Sequence, residues 1–306
     1  MPTLSPTSLL IPTVAPGFAL VKIKYSCIEP SDRANSIGAF PKTIFSRIPG
    51  RDYSGTVIEL KQDSGARRSE WIGKTVYGTG GAELGFNIDG PHAQYCLIPE
   101  NMLIEKPDTI SLLQEQSQMT LFLFWVVLVL GASGAVGSAA VQLAQATGCR
   151  RILTATRNKD ENPDVLLKGD IDTELQTKLP SLTDGKGVDV VVDTIGNLDI
   201  MNTAIHALAI KGRYAWITAL KGGVPMKLSL DIFEAYRKEI ELVGCNTGLA
   251  TTENTAEEMK ILTHLFKQNL IHPQAESSMN LVDLDDAIEK GYKTSLNKKQ
   301  TVLTMD

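Results

Sequence analysis

Val126-Val127-Leu128-Val129-Leu130-Gly131-Ala132-Ser133-Gly134-Ala135-Val136-Gly137 is the stretch that decides how this chain folds. Its five leading apolar residues do not alternate with polar ones, which predicts a parallel strand covered on both faces. A glycine turn follows, written Ala132-x-Gly134-x-x-Gly137, with alanine where the first glycine of a dinucleotide fingerprint stands. Gly134 and Gly137 remove side chains where a pyrophosphate must lie against the backbone, and the helix opening at Ser138 offers N–H groups to an anion. Ala132, Ser133, Gly134, Ala135, Val136 and Gly137 are therefore candidate cofactor-binding residues. An ordinary tight strand-to-helix turn is the alternative. A second strand at 151–156, at the spacing of about twenty residues that the motif needs, favours the dinucleotide site.

The end of that second strand selects between cofactors. A carboxylate there binds the ribose 2′-OH of NAD, whereas a cation suits the 2′-phosphate of NADP. The chain reads Thr156-Arg157-Asn158-Lys159, with no acid before Asp160. Arg157 can fork onto a phosphate and Lys159 can add a point charge. Thr156, Arg157 and Asn158 thus join the cofactor candidates and NADPH is the expected cofactor. The competing reading is a solvated basic loop.

At 306 residues the chain is long enough for two domains. A hydrophobic content of 43% and a net charge of −5 give no sign of nucleic acid or anionic membrane as partner. Cys27, Cys96, Cys149 and Cys245 form no CxxC pair and read as reduced thiols. The N-terminus lacks a basic region and is broken by prolines, so no signal peptide is expected and a cytoplasmic location is. The longest apolar run, 121–130, is about half a membrane span. Up to residue 112 the texture is of short strands at 18–25, 54–60, 75–77 and 92–98 between Gly and Pro, predicting a small all-β domain. From 126 onward strands (187–193, 212–218, 240–244) alternate with helices (201–210, 255–269), predicting a doubly wound parallel sheet in an α/β fold. A last strand at 300–304 returns to the first domain, giving expected domains of 1–112 with 270–306, and 113–269.

Residues 21–32, 49–55, 90–95, 131–144, 188–196 and 212–218 together resemble the medium-chain dehydrogenase/reductase superfamily, in its zinc-free quinone oxidoreductase and enoyl reductase branch. The resemblance implies a GroES-like β domain, a Rossmann domain, and hydride transfer from NADPH to an activated C=C or a quinone, in a homodimer. It further places Pro30, Asp193, Ile195, Gly196, Ile217 and Thr218 at the cofactor, with Glu29 and Tyr53 as candidate catalytic groups on a small-molecule substrate. In zinc-dependent relatives a Cys and a His ligand fall where this chain has Glu29 and Arg51, and a guanidinium cannot bind a cation. The cysteine-rich lobe of a structural zinc is also missing between Tyr77 and His92. No metal is expected.

Glu29 stands where zinc-free relatives commonly carry asparagine. Burial would raise its pKa and keep it protonated as an acid, while a solvent-facing glutamate at the domain edge is the alternative. Tyr53 either presents its phenol to the substrate or packs. Arg51 and Asp52 are expected to pair and fix their turn. Two departures stand out: residues 112–126 replace a longer segment that walls the substrate pocket in the family, and the link from Thr156 to a strand at 165–167 is too short for a helical crossover. A metal-free alcohol or ketone dehydrogenase, and an NADPH-binding protein with little turnover, are the other functions this pattern allows.

Overall fold

The computed structural model describes residues 3–40, 43–61, 68–81, 83–107, 126–218, 226–293 and 300–305. Along the chain run β1 (Phe18–Cys27), α1 (Pro30–Ser36), β2 (Asp52–Leu60), α2 (Arg68–Trp71), β3 (Thr75–Thr79), β4 (Tyr95–Pro99) and β5 (Ile104–Glu105). Then come β6 (Val126–Leu130), α3 (Ala135–Ala146), β7 (Arg151–Thr156), β8 (Val165–Leu166), α4 (Ile171–Leu182), β9 (Val188–Asp193) and α5 (Leu198–His206). The remainder is β10 (Leu208–Trp216), α6 (Ile232–Lys238), β11 (Glu241–Gly244), α7 (Thr252–Lys267), β12 (Met279–Asp283) and β13 (Gln300–Thr304). They fall into two units, Met1–Gln118 with Thr247–Asp306, and Met119–Asn246.

In the first unit β1 is the hub, antiparallel to β2, β4 and β13. The sheet order is β12-β13-β1-β2-β3-β5. Alternate residues of these strands, among them Val21, Ile23, Tyr53, Val57, Val76, Ile98 and Leu303, close one apolar core. The last strand returns here as expected. So does α7, which the sequence reading places with residues 113–269. Its buried stripe of Thr255, Ala256, Met259, Leu262, Thr263 and Phe266 recurs at helical spacing and packs on β3 and β5. Thr263 and Tyr77 share a hydrogen bond of 2.8 Å, and Asn101 donates to Thr252 and Glu253.

The second unit is a parallel sheet in the order β11-β10-β9-β6-β7-β8, with the glycine-turn strand β6 inside it. That is the expected Rossmann arrangement, and the crevice outside the carboxyl ends of its strands is where such sheets bind ligands. The unbroken apolar run of β6 has a direct cause in the two covered faces. Leu128 and Leu130 pack with Leu175, Leu179, Ile200 and Ala204 of α4 and α5. Val127 and Val129 pack with Ala140 and Ala144 of α3.

The link from β7 to β8 is abbreviated, a 3₁₀ turn at Lys159–Glu161, and β8 pairs only through Val165 and Leu166. One sequence expectation changes here. The helix expected to continue to residue 210 ends at His206, because Leu208 already pairs with Val188 as strand. Beyond it Arg213–Trp216 pairs with Glu241–Gly244. Of residues 112–126, the expected replacement for the pocket wall, all but 126 lie outside the described residues.

Candidate active site

The glycine turn is built by close packing. Gly131 closes β6 with φ +82°. A Cβ on Gly137 would lie 2.1 Å from Gly131 O and 2.9 Å from Ala132 Cα, so no side chain fits there. A Cβ on Gly134 would meet only Gly131 O, at 3.3 Å, which leaves space outward of the turn. Gly134 is the N-cap of α3, with no side-chain cap and no acid in the first turn. The α4, α5 and α6 helices are capped by Asp170, Asn197 and Asp231. The first N–H groups of α3 thus lack the side-chain acceptor that other helices of this unit have, and Ser133, Gly134 and Ala135 are exposed. A pyrophosphate fits this cradle.

At the end of β7, Thr156 is buried and Arg157 is exposed. Arg157 forms no ion pair among the described residues. Asn158 uses its side chain inside its own turn: Oδ1 accepts from Asp160 N at 3.2 Å and Nδ2 donates to Glu161 Oε1 at 2.9 Å. The expectation that its amide meets the cofactor is corrected by those bonds. Ile217 and Thr218 line a cleft of about 280 Å³ with Trp216, Gly244, Cys245 and Asn246. Asp193 is wholly buried, its carboxylate bonded to Ile195 N, Gly196 N and Tyr214 Oη. It holds its neighbours and does not offer its carboxylate to a ligand, which corrects the expected contact.

In the first unit Glu29 is the N-cap of α1, with Pro30, pre-set in φ, opening the helix. Glu29 is half-buried. Its N–H donates to Asp32 Oδ2 at 2.8 Å, and its Oε1 accepts from Gln300 Nε2 at 2.7 Å. Burial pushes its pKa up to about 8, with Asp52 and Asp32 adding repulsion, against the Gln300 hydrogen bond and the Arg51 charge. Asp32 is likewise pushed to about 6 by burial, opposed by Arg51 and by the Glu29 N–H. The solvent-facing alternative for Glu29 gives way to a carboxyl that holds its proton at neutral pH.

Arg51 does not pair with Asp52. Its Nη2 donates to Ser31 Oγ at 2.7 Å and its guanidinium lies over the Phe86 ring, 5.6 Å from the centroid. Tyr53 is fully buried in the core and its hydroxyl donates to Met102 O at 3.1 Å. This satisfied core tyrosine reaches no substrate, correcting its candidacy. His92 is buried between Cys27 O at 2.8 Å and Tyr292 Oη at 2.7 Å. A carbonyl only accepts, so Nε2 carries the proton and the tyrosine donates to Nδ1. Burial holds His92 down at about 4 and therefore neutral. Among the described residues no group of three or more His, Cys, Asp or Glu is placed to hold a metal ion.

Sequence reasoning missed Gln300 and Tyr214. Asp32 had a signal, a carboxylate three residues after an N-cap acid. Gln300 lies 271 positions from Glu29 and no local pattern marks it.

Two family models match the chain, one described as alcohol dehydrogenase GroES-like domain over residues 15–108 and one as zinc-binding dehydrogenase over residues 135–264. A zinc-type alcohol dehydrogenase-like protein of Schizosaccharomyces pombe is 36% identical over 317 positions, covering 97% of this chain and 91% of that protein. An NAD-dependent alcohol dehydrogenase of Sulfolobus acidocaldarius is 23% identical, covering 95% and 94%. A solved structure of a putative NADPH:quinone reductase from Bacillus thuringiensis superposes with a TM-score of 0.74 at 19% identity, covering 97% and 93%. The last shares the fold.

Proposed function

The chain belongs to the medium-chain dehydrogenase/reductase superfamily, and we propose that it is an NADPH-dependent oxidoreductase reducing an activated C=C bond or a quinone without zinc. The observation that carries this reading is the α3 turn, whose helix N-terminus is left open to a pyrophosphate, followed at the next strand end by Arg157 with no acid beside it. The bound dinucleotide supplies the hydride. The α3 N–H groups hold its pyrophosphate, and Arg157 meets the 2′-phosphate with a charge-assisted fork. Ile195, Gly196, Ile217 and Thr218, in the turns after β9 and β10, would line its nicotinamide end. Glu29 holds a proton at neutral pH and donates it to the reduced substrate as general acid.

Zinc is set aside on the donor set. Where zinc-dependent relatives supply Cys and His, this chain supplies Glu29 and the guanidinium of Arg51. The names of the alcohol dehydrogenase relatives favour a second reading, oxidation of an alcohol. Without a metal to polarise the carbonyl oxygen, that reaction lacks its electrophile. The protein is further read as a homodimer of a reducing, cytoplasmic compartment. None of its four cysteines forms a disulfide among the described residues, β11 is the outermost strand on its side of the sheet, and no described helix is long and apolar enough to cross a membrane. NADPH consumption is to be measured with a panel of quinones and enones, beside NAD(P)⁺ reduction with alcohols. Acceptor-dependent NADPH oxidation by metal-free protein supports the reading. Alcohol oxidation that needs stoichiometric zinc replaces it, and tight NADPH binding without consumption makes the chain a binding protein.

A further inference from the structure

Asp193 has no solvent exposure and forms no ion pair among the described residues. A buried carboxylate without a counter-charge is costly unless donors saturate it. Its donors come from two elements. Oδ1 accepts from Ile195 N at 2.8 Å and Gly196 N at 3.0 Å, in the turn after β9. Oδ2 accepts from the phenol of Tyr214 at 2.9 Å, in the middle of β10. Tyr214 is itself fully buried. Burial and the adjacent carboxylate hold its phenol far above the ordinary range, so it stays a donor.

Backbone bonds extend the arrangement to two further turns. Ile217 N, beyond the end of β10, donates to Asp193 O at 3.2 Å. Thr194 donates to Leu130 O through its hydroxyl at 2.8 Å and its N–H at 3.1 Å. Its hydroxyl also lies where a Cβ on Gly131 would stand, 2.4 Å away. The turns after β6 and β10 are thus hydrogen-bonded to the β9 end, through Thr194 and the Asp193 main chain, beside the buried carboxylate that shapes the β9 turn.

We infer that Asp193 and Tyr214 are a positioning pair, which touches no ligand and fixes the turn after β9, to which the turns after β6 and β10 are hydrogen-bonded, for receipt of the dinucleotide. The inference rests on the dinucleotide reading above. A pair that only stabilised the core would lower the melting temperature and leave the affinity of the folded protein unchanged.

The test compares wild type, Tyr214→Phe and Asp193→Asn by fluorescence titration with NADPH and with NADH, and by amide hydrogen exchange at Ile195 and Gly196. Tyr214→Phe keeps the ring and removes one donor to a buried carboxylate. It should weaken both cofactors about tenfold, speed exchange at both amides about tenfold, and leave the NADPH:NADH preference unchanged. Asp193→Asn keeps an acceptor for the turn and can donate to the tyrosine oxygen, so it should bind both cofactors within about threefold of wild type. If Tyr214→Phe does not fold, Asp193→Asn decides alone, since a tenfold loss there means that the charge itself acts on the ligand and overturns the pair. Wild-type affinity in folded Tyr214→Phe overturns the inference while the dinucleotide reading stands. Wild-type protein that binds neither cofactor overturns both.

Discussion

Arg157 and Glu29 carry the chemistry most exposed to test. Replacing Arg157 with alanine removes a cation that no described residue engages, so the fold should survive. NADPH affinity should fall by roughly 1.5–3 kcal/mol, the range for a charge-assisted bond, and NADH affinity should hold. Equal losses in titrations of both cofactors would remove the arginine from the 2′-phosphate. For Glu29 the folded pKa stands above its ordinary value of 4.5, at about 8. The stability it contributes is therefore complete below about pH 4.5 and is lost as pH rises through about 8. Wild-type melting temperature should fall relative to Glu29→Gln across that window, and a constant difference would contradict the protonated carboxyl. As the proton donor, Glu29→Gln should slow acceptor reduction by about 10²-fold or more. Wild-type turnover should decline above pH about 8. The place of Arg157, exposed just after β7, was legible, because a cation after a strand end is a local pattern. The proton held by Glu29 depends on burial and on Asp52 in β2, against the hydrogen bond from Gln300 at the far end of the chain, and only the fold assembles them.

Two glycines of the β6–α3 turn separate packing from binding. Gly137→Val places side-chain carbon where Gly131 O already lies within 2.1 Å of the Cβ position, so the turn must open and thermal unfolding should show a severely destabilised protein. Gly134 has φ −75°, and a methyl there would meet only Gly131 O, at 3.3 Å, a tight contact that the turn must ease by a few tenths of an ångström. Gly134→Ala should therefore fold with a modestly lowered melting temperature and bind dinucleotide more weakly. If it binds NADPH as wild type does, the pyrophosphate does not lie against that backbone. Tyr53→Phe offers the converse: one buried hydrogen bond to Met102 O is lost, about 0.5–1.5 kcal/mol of stability by denaturant unfolding, with turnover unchanged. The strands were largely readable from their unbroken or alternating apolar runs. The α4 helix was not, because it carries Pro180 and few apolar residues. The end of α5 was overrun because Ala207 and Leu208 continue its helical spacing, although Leu208 is already paired to β9. At the end of α5 a tertiary pairing overrides a local preference.

At the scale of the whole chain, the change of texture near residue 112 pointed to two units, and the parallel sheet of the second followed from its alternation of strands and helices. What the sequence does not reveal is that α7 packs on the β unit. An amphipathic stripe states that a face is buried and not against what. If a dinucleotide binds folded protein and not the unfolded chain, as proposed, saturating NADPH should raise the melting temperature, by linkage about 2.7 kcal/mol of stabilisation at a hundredfold excess over Kd. The most direct test of a phosphate-reading dinucleotide site at the head of α3 is a fluorescence titration of purified protein with NADPH and with NADH at one salt concentration. The account predicts an NADPH dissociation constant lower by about tenfold or more, the effect of one charge-assisted contact. Equal constants for the two cofactors, or binding of neither, would contradict it.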